Sequence, residues 1–125
     1  MTIENASYYR KVGHIQIFWG GCVTEARYQA RLIRRLKRRF PGCIVLKNDP
    51  QHLQGVPDLV IFWGMCWAML EVKASLQARE RPNQRYFIKQ LNQMSFAAFI
   101  CPENEEEVLL ALQEAFSSRG AARVS

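Results

Sequence analysis

The sequence predicts a mixed α/β fold (α+β, one mixed sheet), with helices packed against the sheet in the order α-β-β-β-α-β-α. Three observations predict it. A strongly amphipathic helical pattern precedes a tight apolar hairpin; runs of helix and strand length follow the hairpin; and no Pro-, Gly- or Ser-rich linker divides the 125 residues. The length fits a single domain, 1–125, with enough chain for a core, and 49% apolar residues mark it as globular.

Residues 1–21 give the weakest pattern and are read as an N-terminal arm. His14-Ile15-Gln16-Ile17-Phe18 alternates weakly, and Gly20-Gly21 breaks it. From Cys22 to Phe40 the pattern is helical, ended by Pro41-Gly42. Tyr28, Leu32, Leu36 and Phe40 form its core stripe at 100° per residue. Cys43 to Lys47 is a short strand, and Asn48 to Pro57 a polar loop carrying His52. The hairpin occupies Asp58 to Lys73, and Ala74 to Arg81 is a polar connection. Pro82 suits the first turn of a helix to about Met94, and Ser95 to Cys101 is a strand. Asn104 and Glu107 fit a capping box on the last helix, with Glu105, Glu106 and Glu107 complementing its dipole. Residues 118–125 are small and polar and read as a flexible tail.

Composition bounds the function classes. No apolar run approaches transmembrane length, and the N-terminus, Met1 to Asn5, has neither a charged nor an apolar leader region, so a cytoplasmic location and no membrane partner are expected. Cys22, Cys43, Cys66 and Cys101 stand singly, far from His14 and His52, and read as reduced, buried thiols rather than a zinc site. A net charge of +6 points to a polyanionic partner.

The hairpin carries the chemistry. Gly64-Met65 suits a type II′ turn, and the register that follows pairs Trp63 with Cys66, Phe62 with Trp67 and Asp58 with Glu71. Like charges directly opposed destabilise a sheet, and period-2 alternation adds Lys73 to the same face. A divalent cation held by the carboxylates and a backbone carbonyl accounts for the cluster. Asp, then Glu-x-Lys across a hairpin, is a pattern for Mg²⁺-assisted phosphodiester hydrolysis, in which the metal neutralises phosphate charge and acidifies water. Glycosidases also pair carboxylates, but have no general need of the lysine. Glu25 lies on the core stripe of the first helix, either as an acid aimed at the sheet or as a charge complementing the helix start. The other face bears Arg27, Arg31, Arg34, Arg35 and Arg38, with no acid from Ala26 through Gly42, which suits a phosphate-binding surface better than a solvated face of mixed sign. Arg79, Arg81, Arg85 and Lys89 add positive charge around Gln84. Trp19, Trp63 and Trp67 read as core or interface aromatics.

Pro57-Asp58 with Glu71-Val72-Lys73 resembles the signature of the PD-(D/E)XK nuclease superfamily. Gly55-Val56-Pro57-Asp58-Leu59, the hairpin, Pro82-Asn83-Gln84 and Asn92 to Ala97 resemble the small VRR-NUC proteins of phages. Over residues 22–117 the resemblance implies a restriction-endonuclease-like core and a Mg²⁺-dependent DNA endonuclease, with Mn²⁺ as a substitute. It implies Asp58, Glu71 and the Val72 carbonyl as metal ligands and Lys73 as the catalytic lysine. Glu25 matches the helix acid that supports a second metal or a metal-bound water, and Gln84 the glutamine that orients the lysine or the DNA backbone. Arg81 and Arg85, with the helix arginines, would bind DNA. Branched DNA (Holliday junction, flap or fork), a homodimer and a bacterial host cytoplasm complete the expectation. The alternatives are a non-catalytic DNA-binding module, a sequence- or damage-directed nuclease, and a structural protein of phage assembly.

Overall fold

The computed structural model of the protein describes residues 8–12, 15–21, 24–49 and 51–124; the readings made of Met1 to Asn5, His14 and Cys22 lie outside them. The elements are β1 (Tyr8–Val12), β2 (Ile15–Gly21), α1 (Glu25–Arg39), β3 (Ile44–Lys47), β4 (Leu59–Trp63), β5 (Cys66–Val72), α2 (Gln84–Met94), β6 (Phe96–Ile100) and α3 (Glu105–Val124). From α1 onward this is the order α-β-β-β-α-β-α, a mixed α/β fold.

The arm is an antiparallel pair of its own, β1 with β2, whose register shifts between Tyr8 and Tyr9. Gly20-Gly21 lies inside β2 rather than breaking it. Glycine weakens a strand without forbidding it, and the irregular register accommodates Gly21 opposite Tyr8.

The main sheet has the order β3-β4-β5-β6, antiparallel except for the parallel β5–β6 pair. At the hairpin tip Gly64 takes φ +63°, while Met65 is not among the positive-φ residues, the combination a type II′ turn requires. Leu59 faces Leu70, Phe62 faces Trp67 and Trp63 faces Cys66, the register that places Asp58 opposite Glu71.

One face of the sheet packs on α1 and α3. Tyr28, Leu32, Leu36 and Phe40 are fully buried there against Leu59, Ile61, Ala68, Leu70 and Val72, with Leu109, Leu112 and Phe116 from α3. Trp63 joins this core, its ring centroid 5.1 Å from Phe40 and 5.8 Å from Phe116, and its indole N–H donates to the Pro41 carbonyl. Helix α2 covers β6 and β5 on the opposite face, leaving Ile44, Leu46 and Phe62 exposed on that side. The thiols of Cys43, Cys66 and Cys101 are free. No helix among the described residues is long and apolar enough to cross a membrane.

Two local expectations are corrected. Helix α2 starts at Gln84 instead of Pro82, because Asn83 adopts the left-handed conformation, φ +71°, and interrupts the first turn. Asn104 does not form the capping box; its Oδ1 accepts from the Cys101 N–H and its Nδ2 donates to the Phe99 carbonyl, closing the turn out of β6. Helix α3 itself runs on to Val124, into the segment read as a tail. Ala121 and Ala122 favour helix, and one interior glycine, Gly120, costs only about 1 kcal/mol.

Candidate active site

The carboxylates of Asp58 and Glu71 are locked by reciprocal hydrogen bonds to the backbone across the hairpin end. The Asp58 N–H donates to Glu71 Oε1 at 3.2 Å, and the Val72 N–H donates to Asp58 Oδ2 at 3.0 Å. Strand β5 ends here, and one further bond from the Lys73 N–H to the Ile100 carbonyl, 2.9 Å, carries the β5–β6 pairing to the lysine. Lys73 is buried, as are Glu71 and Gln84.

Gln84 joins the acid to the base. Its Nε2 donates to Glu71 Oε2 at 2.6 Å, and its Oε1 accepts from Lys73 Nζ and from the Arg81 N–H, both at 2.8 Å. Only this amide orientation works, since the reverse would set an NH₂ against the ammonium. Lys73 Nζ also donates to the Arg79 carbonyl at 2.9 Å and lies 3.8 Å from Glu71 Oε2. An ammonium has three protons, so two fix the lysine tip and one is left uncommitted, with Glu71 Oε2 3.8 Å from the nitrogen.

The electrostatics follow from this crowding. Burial first, then the Asp58 charge beside it and the Glu25 charge, push Glu71 up to about 8, against the lowering effect of Lys73. Asp58 is raised mainly by burial, opposed by its bond from Val72 and by Lys73. Glu25 at the start of α1 is raised by burial and by Asp58, and lowered by Lys73 and Arg81. Helix α1 therefore brings Glu25 within electrostatic reach of the pair, although it remains partly exposed to solvent.

Each side of the pair has a positioning device. On the loop before Asp58, Asn48 Nδ2 donates to the Pro57 carbonyl at 2.7 Å, fixing the turn into β4. Gly55, at φ +95°, packs directly on Asn83: a Cβ there would lie 2.6 Å from Asn83 Cβ and 3.0 Å from the Pro82 carbonyl oxygen. Gly55 and Asn83 stand in the motifs that carry the resemblance, but their contact with each other and the role of the Arg79 carbonyl were not read from the sequence. The glycine two residues before Pro57 was the available signal.

A hard divalent cation fits this donor set. The Asp58 and Glu71 carboxylates accept from backbone and amide N–H groups and still retain lone pairs, and the Val72 carbonyl follows Glu71. Mg²⁺ typically takes one or two carboxylates and keeps several waters. Three or more His, Cys, Asp or Glu side chains do not converge as a closed metal cage among the described residues.

The basic face divides into two parts. Arg35 Nη1 lies 2.5 Å from Glu105 Oε2, and Glu105 also accepts from the Tyr28 hydroxyl at 2.9 Å. This pair is structural, so Arg35 is not a free phosphate ligand. Arg39 likewise pairs with Glu106 and Gln113. Arg31 is half-buried, its Nε buried with no hydrogen-bond partner among the described residues. Arg85 pairs with Glu80 and lies over the Phe99 ring, 5.8 Å from its centroid, with its side chain still largely exposed. Arg27, Arg34, Arg38 and Arg81 remain exposed, as does His52. Two variants separate these roles. Arg35→Gln should lower stability by about 1–3 kcal/mol by stripping a buried carboxylate of its cation. Arg34→Gln with Arg38→Gln, at exposed positions, should leave the melting temperature in place.

No protein-family model matches the chain, and no curated protein is significantly similar to it.

Proposed function

We propose that the protein is a Mg²⁺-dependent DNA endonuclease of the PD-(D/E)XK type, acting as a homodimer and selective for branched DNA. The observation that carries this reading is the buried Glu71–Gln84–Lys73 bridge beside Asp58. A structural ion pair needs no second carboxylate, and a carboxyl group pushed up to about 8 beside another acid is costly unless a cation is bound there.

A bound divalent cation supplies the Lewis acidity for hydrolysis. Asp58, Glu71 and the Val72 carbonyl would hold it. Lys73, fixed by Gln84 and Arg79, places its remaining proton where negative charge grows on the phosphate. Arg81, close enough to act on Asp58 and Glu25, supplies a second cation at the same place. Water oxygen bonds to phosphorus and releases a proton, the bond from phosphorus to the leaving oxygen breaks, and that oxygen takes up a proton from solvent, so that water is added across the bond. Arg34 and Arg38 would grip the DNA backbone at a distance from the chemistry.

The dimer is supported by the sheet face that no element covers among the described residues, where Ile44 is 57%, Leu46 50% and Phe62 43% exposed. The branched substrate is supported by size, because one small domain has little surface for reading a long sequence. The test is cleavage of labelled linear, flap and four-way DNA in Mg²⁺, Mn²⁺, Ca²⁺ and EDTA. Mg²⁺- and Mn²⁺-dependent cutting is expected, with branched DNA preferred. Lys73→Ala and Glu71→Ala should each lose nearly all of it while still binding DNA in Ca²⁺. Full activity in either folded variant would overturn the site, and equal cutting of linear and branched DNA would favour a sequence- or damage-directed enzyme.

A further inference from the structure

The connection between β5 and α2 leaves Lys73 and returns at Arg81, whose N–H is held by Gln84. Between this connection and the end of β6 lies a cavity of about 170 Å³ with Lys73 in its wall. That is well below the roughly 300–1,000 Å³ of pockets for drug-sized ligands and suits a single small planar group. Phe99, Leu76 and Ala78 give it apolar walls, and Ser75 and Asn104 give it polar ones. Leu76 is 61% exposed at this cavity, so the fold itself makes little use of it. Glu80 also lines the space, which makes it a poor receptor for a phosphate.

We infer that this cavity receives the base of an unpaired nucleotide next to the scissile phosphate, so that the substrate class is DNA carrying an unpaired base at the cut. The inference rests on the nuclease reading above. An aromatic ring with aliphatic walls stacks on any base, and polar groups at the rim meet the edge of a heterocycle. Lys73 is shared between the cavity and the carboxylate pair, so an occupant sits adjacent to the phosphate being cut. Arg79 and Arg81, exposed on the same connection, are placed to hold the flanking backbone. A base inside a duplex cannot enter without being extruded, at a cost of a few kcal/mol that is smallest for an unpaired nucleotide. The cavity thus converts local unpairing into preference at the point of cutting.

The test uses the full chain and DNA with one unpaired 2-aminopurine beside the cut, bound in Ca²⁺, alongside Mg²⁺ cleavage of the same DNA and its fully paired counterpart. Wild type should change the 2-aminopurine fluorescence on binding. Ala78→Phe, which fills the cavity, should abolish that change and lower the ratio of unpaired to paired cutting about tenfold, within the range of one base–aromatic stack. Leu76→Ala, at an exposed position that does not threaten folding, should lower the ratio in the same direction. Wild type that cuts DNA without a fluorescence change, with both variants keeping the ratio, overturns the cavity and leaves the nuclease standing. Wild type that cuts no DNA with Mg²⁺ or Mn²⁺ overturns the nuclease reading and this inference with it.

Discussion

Asp58→Asn should abolish cleavage and, in EDTA at pH 8, melt higher than the wild-type protein. Asparagine keeps an oxygen to accept the Val72 N–H, so the hairpin end retains its bond. What disappears is the charge facing Glu71. Burial is the larger cause of the Glu71 shift and remains, so its carboxyl falls back toward the usual range without reaching it. In wild type the folded-state pKa lies above the ordinary value of 4.5, at about 8. The folded state therefore binds more protons than the unfolded state between those limits. The stability linked to Glu71 is full below the unfolded value and is lost as pH rises through 8. Relief of one pKa unit corresponds to about 1.4 kcal/mol, or a rise of roughly 3–6 °C for a chain of this size. Excess Mn²⁺ should raise the wild-type melting temperature by mass action and raise that of the variant much less. A variant that melts lower in EDTA and gains as much from Mn²⁺ would show that the two carboxylates share no metal.

Gly55→Ala should slow cleavage about 10- to 100-fold and cost about 1–3 kcal/mol of stability. Alanine is strained at φ +95°, and its Cβ would meet Asn83 at 2.6 Å. The displaced residue immediately precedes Gln84, so the disturbance reaches Glu71 and Lys73 through the amide bridge. Misplacement of about 1 Å away from the reacting atoms can cost about 10²-fold. Asn83→Gly removes the struck Cβ and is at ease at φ +71°. Introduced into Gly55→Ala, it should recover part of the rate. Single-turnover rates of the two single variants and the double variant, read as a double-mutant cycle, check this, and strict additivity would mean that the glycine does not act through Asn83.

The hairpin and its acids were legible because a glycine fixed the turn and a period of two then fixed every partner, down to Asp58 opposite Glu71. The core stripe of α1 was equally open to counting. The arginine face was not. Its lack of acids is a property of α1 alone, whereas Glu105 and Glu106 arrive on a helix seventy residues away that only tertiary packing brings alongside. Asn104 has a local signature for a capping box, yet its amide turns back to the end of β6, where the turn leaves the Cys101 N–H and Phe99 carbonyl in need of partners. The Gly55–Asn83 contact joins two loops whose approach no periodicity records. Pro82 satisfied a helix-start rule that the left-handed Asn83 overrode.

The parallel pairing of β5 with β6 has a consequence for how the protein assembles itself. Parallel neighbours require a crossover, and here the crossover is the segment that brings Gln84 over Lys73. Asp58, Glu71, Lys73 and Gln84 therefore lie in one unbroken stretch of chain, and closing the loops among them costs little entropy. Glu25 and the helix that carries it join from outside that stretch, earlier in the chain and beyond β3. Contacts of short sequence separation form fastest, so the hairpin and its crossover can organise the bridge before α1 docks. The chemistry would then reside in a locally encoded unit, and the rest of the chain would supply the core that keeps it dry and the acid that completes it.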